Sequence, residues 1–228
     1  MMSSHEVYQT VNEHKVVAIM RGASPQDVSS IVQSLEDGGI KMIEVTLNSP
    51  GALKSIEQLK SEFPHLIIGA GTVLDSESAR LSILSGADFI LTPTLKESTI
   101  KMANRYDKPI IPGVLSPTEV LLAYEMGVKT VKVFPAGSFP ANFISNLKGP
   151  LQHIDVMAVG GITKRNAKKY LDAGASSLGI GSDIVNNDLV EAKNFKAIQE
   201  RAKNFVDIVK HQKNREQKCG VYYENDFN

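Results

Sequence analysis

The chain has 228 residues, 42% hydrophobic and 22% charged, which is enough apolar side chain to bury one sizeable core and the balance of an ordinary soluble domain. Its 25 Lys and Arg match its 25 Asp and Glu, so no net field draws it to nucleic acid or an anionic membrane, though a small anionic ligand is still compatible. The single cysteine, Cys219, cannot form an intramolecular disulfide, and the five histidines (His5, His14, His65, His153, His211) have no metal-ligand spacing, so no protein-bound metal is expected.

Residues 1–14 contain no apolar run of signal-peptide length, and no stretch approaches about 20 consecutive apolar residues, so the cytoplasm is the expected compartment. Residues 3–14 suggest a short lid or leading helix. VVAIM (16–20) reads as a buried strand running into Arg21-Gly22, and Ser24-Pro25 supplies an N-cap and first-turn proline for a helix whose stripe is Val28, Ile31, Val32 and Leu35. The unit repeats: strand 42–47 with helix 50–62, 66–70 with 75–85, 89–91 with 96–105, and 109–111 with 117–126. Strand 130–134 then pairs with helix 139–147, 156–159 with 164–173, and 177–180 with a terminal helix. Eight strand–helix units imply parallel βαβ crossovers closing into a single-domain (β/α)8 TIM barrel over residues 15–210. The tail 211–228 shows no helical stripe and is expected to be a flexible or partner-contacting extension.

A parallel barrel carries its chemistry at the carboxyl ends of its strands. Those ends read Arg21; Glu44 with Asn48; Gly69-Ala70-Gly71-Thr72; Thr92-Pro93-Thr94; Pro112-Gly113; Lys132 with Phe134-Pro135; Val159 with Gly160-Gly161; and Gly181-Ser182. Lys132 interrupts the β-branched run 130–133, and alternation puts it with Phe134 on the face opposite Val131 and Val133. Burial favours its free amine, the nucleophile of Schiff-base chemistry, while a lysine at a strand end can also snorkel to solvent. Glu44 shares a face with Met42 and Thr46. It suits a general acid/base whose proton affinity desolvation raises and an ammonium lowers, or it forms a core ion pair with Lys132. Arg21 can clamp a carboxylate or stand solvated. Thr72 offers a hydroxyl beside two glycines. The turns Gly160-Gly161 and Gly181-Ser182 offer backbone N–H groups to a phosphate where barrels often bind one, or are tight turns only. An amine, a proton shuttle, a carboxylate clamp and a phosphate cup together fit a phosphorylated 2-keto acid.

The segments IEVTLNSP, IGAGTVL, PGVLSPTE, VKVFPA, GGI and GSD, in this order, resemble the 2-keto-3-deoxy-6-phosphogluconate and 4-hydroxy-2-oxoglutarate aldolase family over roughly residues 15–210. The resemblance implies a homotrimeric barrel that uses no metal or cofactor. Lys132 would be its Schiff-base lysine and Glu44 the acid/base acting through a water. Thr72 would bind the carboxylate, Phe134 the pyruvate-derived carbons, and Gly160, Gly161, Gly181 and Ser182 the phosphate, with Pro93, Asn48 and Val159 as further substrate contacts. Many members carry arginine where this chain has Asn48, which shifts the clamp to Arg21, and many gluconate-type members have Pro-Thr where it has Ala158-Val159. LNSP, AVGG and GSD look more like the 2-keto-3-deoxy-6-phosphogalactonate branch, whereas EVTL and PGVLSPTE look like the gluconate branch. Two rival readings keep the barrel: a phosphosugar isomerase or epimerase with Glu44 as base, and a non-catalytic phosphosugar sensor.

Overall fold

Short apolar strands joined by helical crossovers bury both faces only when the strands lie parallel in one sheet with the helices outside. The computed structural model describes residues 3–224. Its strands are β1 (Val16–Met20), β2 (Met42–Thr46), β3 (Ile67–Gly71), β4 (Ile90–Leu91), β5 (Ile110–Ile111), β6 (Gly113–Val114), β7 (Thr130–Val133), β8 (Asp155–Val159) and β9 (Ser177–Ile180). They pair parallel in the order β5-β4-β3-β2-β1-β9-β8-β7-β6. β5 and β6 flank Pro112, which has no N–H to give a ladder. Ile110 and Ile111 pair with β4, Gly113 and Val114 pair with β7, and the Pro112 carbonyl accepts the Lys132 N–H at 2.8 Å. Taken as one interrupted strand, they make this a (β/α)8 barrel.

The helices are α1 (Ser4–His14), α2 (Val28–Asp37), α3 (Ala52–Glu62), α4 (Ser76–Leu84), α5 (Glu97–Arg105), α6 (Pro117–Glu125), α7 (Asn142–Lys148), α8 (Ala167–Asp172), α9 (Asn187–Glu191) and α10 (Phe195–Glu224). Strand alternation divides the core in two. Ala18, Ile43, Val45, Ile68, Val131 and Val133 belong to the cluster under the helices, whereas Val17, Ile19, Met42, Ile67, Phe89, Ile111, Met157 and Val159 belong to the barrel interior.

Val7 and Val11 of α1 join that interior cluster, each 1% exposed, and their burial contributes roughly 1.5 kcal/mol or more apiece. Asn12 donates to Asp155, the first residue of β8, at 3.3 Å. The leading helix therefore plugs the amino-terminal end of the barrel, away from the mouth, and is no lid. Among the described residues no helix is long and apolar enough to cross a membrane.

Of the boundaries that differ from the sequence reading, three have a visible cause. Ser24 does not cap α2. Its hydroxyl donates to Asp27 at 2.8 Å, residues 25–27 form a turn, and the helix starts at Val28. The segment after β7 begins as a 3-10 turn, Ala136–Ser138, before α7. The stretch from 211, expected to leave the helical pattern, continues α10 to Glu224, because the helix formers in QKNREQK keep the backbone helical without an apolar stripe. Residues 225–228 of the expected tail lie outside the described residues.

Candidate active site

Alternation along β7 aims Lys132 into the barrel, and alternation along β2 aims Glu44 there. They are 4% and 2% exposed, so both charge-bearing groups are enclosed. Burial holds the Lys132 amine below the usual lysine range, the Glu44 carboxylate pulls it back up, and the Arg21 guanidinium pushes it down. Burial raises the Glu44 carboxyl above the usual carboxylate range, while Lys132 and then Arg21 oppose the rise. Among the described residues, buried Glu44 Oε2 has no hydrogen-bond partner. A buried carboxylate oxygen left without a protein partner is free to exchange a proton with a small molecule beside it.

Space for Glu44 comes from a missing side chain on the next strand. A Cβ on Gly71 would stand 1.5 Å from Glu44 Oε1 and 2.2 Å from its Cδ. Thr72, which follows, sits at φ +56°, a conformation β-branched residues rarely adopt and one that clusters at functional sites. On the other side, Lys132 Nζ lies 5.2 Å from the centroid of the Phe134 ring, which gives the amine a π-face in place of water.

Above this pair opens a cleft of about 520 Å³, lined among others by Arg21, Phe134, Val159, Gly160, Gly161, Gly181 and Ser182. Seven of the residues singled out in the sequence thus share one wall. Lys132 and Glu44 lie beneath it, while Asn48, exposed, Thr72 and Pro93, both half-buried, stand outside its lining. Gly160 and Gly161 adopt φ +86° and +73°, which only glycine takes without strain, and a Cβ on Gly160 would meet the Phe134 ring at 3.0 Å. The Gly160 carbonyl is taken by the Gly137 N–H at 2.7 Å and that of Gly161 by Asn166 Nδ2 at 2.9 Å. Both carbonyls are thereby held by partners inside the protein, as suits a turn that serves an anion with its N–H groups.

The cleft also includes Thr163, Asp183, Asn187 and Asp188, which the strand-end pattern missed. They follow β8 and β9 by a few residues, and GSDIVNND beyond β9 was the available signal. Asp183 accepts the Lys164 N–H at 2.9 Å, tying the β8 and β9 loops together. Among the described residues no three His, Cys, Asp or Glu side chains gather as a metal site.

The arrangement, a buried amine and carboxylate under a cleft with one guanidinium and two glycine turns, has counterparts among known proteins. The sequence matches the family described as KDPG and KHG aldolase over residues 7–201. It is 32% identical to a 2-dehydro-3-deoxy-phosphogluconate aldolase of Haemophilus influenzae over 91% of this chain and 99% of that protein. It is 35% identical to a 2-dehydro-3-deoxy-6-phosphogalactonate aldolase of Escherichia coli, over 74% of this chain and 83% of that one. The fold superposes, with a TM-score of 0.78 and 29% identity, on a KDPG aldolase of Legionella pneumophila captured with pyruvate as a covalent carbinolamine. That match covers 83% of this chain and 93% of the other. A match through nearly the whole barrel, joined to an interior amine and carboxylate, makes this chain a member of the KDPG and KHG aldolase family.

Proposed function

We propose that the chain is a class I aldolase cleaving 2-keto-3-deoxy-6-phosphogluconate to pyruvate and glyceraldehyde 3-phosphate. The observation that carries this reading is the enclosed Lys132, its amine 5.2 Å from the centre of the Phe134 ring that lines the cleft and coupled in charge to buried Glu44. Lys132 Nζ adds to the C2 carbonyl to give a carbinolamine, and Glu44 supplies the proton with which water departs, leaving an iminium. Glu44, through a water, then takes the C4 hydroxyl proton. The C3–C4 bond breaks, its electrons pass to the iminium as an enamine, and the aldehyde leaves. Protonation at C3 and hydrolysis release pyruvate and restore the amine. Arg21 and Thr72 hold the substrate carboxylate, Phe134 packs on the pyruvate carbons, Pro93, Asn48 and Val159 line the path, and Gly160, Gly161, Gly181 and Ser182 bind the phosphate.

Val159, which lines the cleft, offers methyl groups and no hydroxyl to a substrate there, which supports the galactonate epimer as a second substrate. Pyruvate release from the gluconate epimer, the galactonate epimer and 4-hydroxy-2-oxoglutarate tests the reading. The gluconate compound should give the highest kcat/KM. Faster cleavage of the galactonate compound would reverse the epimer order, and no pyruvate from any of the three would overturn the aldolase reading.

The same reading includes a homotrimer in the cytoplasm, where a phosphorylated substrate too polar to cross a bilayer is met. Leu74, Leu81 and Leu84 around α4, and Leu115, Leu121 and Leu122 around α6, are 40% to 61% exposed. These two apolar faces, on either side of α5, suit a head-to-tail contact that closes a ring. Leu81→Glu should yield monomers in sedimentation.

A further inference from the structure

Arg21 is the first residue beyond the β1 ladder, whose last paired residue is Met20 opposite Val45. It therefore has no strand neighbour to fix it, and the next residue, Gly22, turns through φ +73°. The backbone on both sides of Arg21 is nevertheless held, and from one place. The Gly22 N–H donates to Ser49 Oγ at 2.8 Å. Ser49 Oγ lies 3.0 Å from Thr46 Oγ1, and Thr46 Oγ1 donates to the Met20 carbonyl at 3.4 Å. Thr46 has one proton and gives it to the Met20 carbonyl, so between the two hydroxyls Ser49 is the donor, and the chain runs in one consistent direction. Ser49 and Thr46 are 7% and 0% exposed, so water competes little for these bonds. The Ser49 N–H donates to the Thr46 carbonyl at 2.9 Å, fixing the loop that carries the serine.

We propose that Ser49, with Thr46 behind it, is a positioning residue for Arg21, a two-hydroxyl clasp that fixes the backbone before and after the guanidinium-bearing residue. The clasp touches no substrate and acts through the arginine. This deepens the reading of Arg21 as carboxylate clamp and rests on it. It also gives the Ser in LNSP a function separate from that of the neighbouring Asn48.

The test is steady-state cleavage of 2-keto-3-deoxy-6-phosphogluconate by Ser49→Ala, Ser49→Thr, Arg21→Gln and the Ser49→Ala/Arg21→Gln pair. One neutral hydrogen bond contributes on the order of 1 kcal/mol, which is about 3- to 10-fold in an equilibrium. Ser49→Ala should therefore raise KM by about that factor with kcat within about 2-fold, and Ser49→Thr, which keeps the hydroxyl, should restore KM. In the Arg21→Gln background, Ser49→Ala should add nothing. An unchanged KM in Ser49→Ala, or losses that multiply in the double variant, would overturn the clasp while leaving Arg21 as the clamp. An Arg21→Gln variant with native KM would remove the clamp itself, and the proposal with it.

Discussion

Gly71→Ala adds one carbon to the barrel interior, yet it should disable the site. The new Cβ would stand 1.5 Å from Glu44 Oε1, 2.2 Å from Cδ and 2.5 Å from Cγ. Only rotation about χ1 moves all three atoms together, and that swings the carboxylate away, so the carboxylate must leave its place or the strands must part. The Gly71 backbone is not in the left-handed region, so its φ admits alanine without strain, and the three nearest atoms that the Cβ would meet all belong to Glu44. Overpacking of this kind costs about 1–3 kcal/mol. In a chain of this size each kcal/mol lowers Tm by about 2–4 °C, so the fall should be roughly 2–12 °C. Displacing a general acid/base costs about 10²- to 10⁴-fold in rate. Thermal unfolding and pyruvate release read the two effects separately. In a Glu44→Ala background the clashing atoms are gone, so Gly71→Ala should then leave Tm nearly unchanged while activity stays low. A Gly71→Ala enzyme with native kcat would refute the placement of Glu44 against that glycine.

Other outcomes follow from the charges. The Glu44 carboxylate raises the Lys132 pKa and Arg21 lowers it. The pH at which pyruvate becomes trappable on Lys132 should therefore fall in Glu44→Gln and rise in Arg21→Gln, as read by borohydride capture across pH; shifts in the same direction would contradict the arrangement. Away from the mouth, Asp88 is 1% exposed and accepts Lys60 Nζ at 2.6 Å and the Ile68 N–H at 3.0 Å. Lys60→Met removes the cation that bonds that carboxylate and leaves the Lys108 ammonium as the remaining charge near it. It should cost about 3 kcal/mol and lower Tm by about 6–12 °C, with kcat/KM unchanged.

What the sequence disclosed depends on which physical signal carried it. Period-two alternation put Lys132 opposite Val131 and Val133, and Glu44 beside Met42, and both assignments hold because a strand buried on two faces leaves its side chains only two directions. The eight-unit rhythm held for the same reason. Hydrogen bonds were less legible. Ser24 looks like an N-cap, but its hydroxyl goes to Asp27, and nothing in a linear pattern says that Ser49 reaches back 27 positions to Gly22. The steric role of Gly71 is equally silent, because it depends on a side chain in the neighbouring strand. Pro112 was visible, but its effect, one barrel strand paired as two pieces, follows from the partners on either side. The helix beyond residue 211 was missed because its propensity is not accompanied by an apolar stripe.

The chemistry turns on Lys132 as the nucleophile, and intact-mass measurement after borohydride reduction with pyruvate tests that directly. The native chain should gain the mass of one reduced pyruvate adduct, mapped by peptide fragmentation to Lys132, and Lys132→Ala should gain none. An adduct on another lysine, or an unmodified native chain, would contradict the assignment.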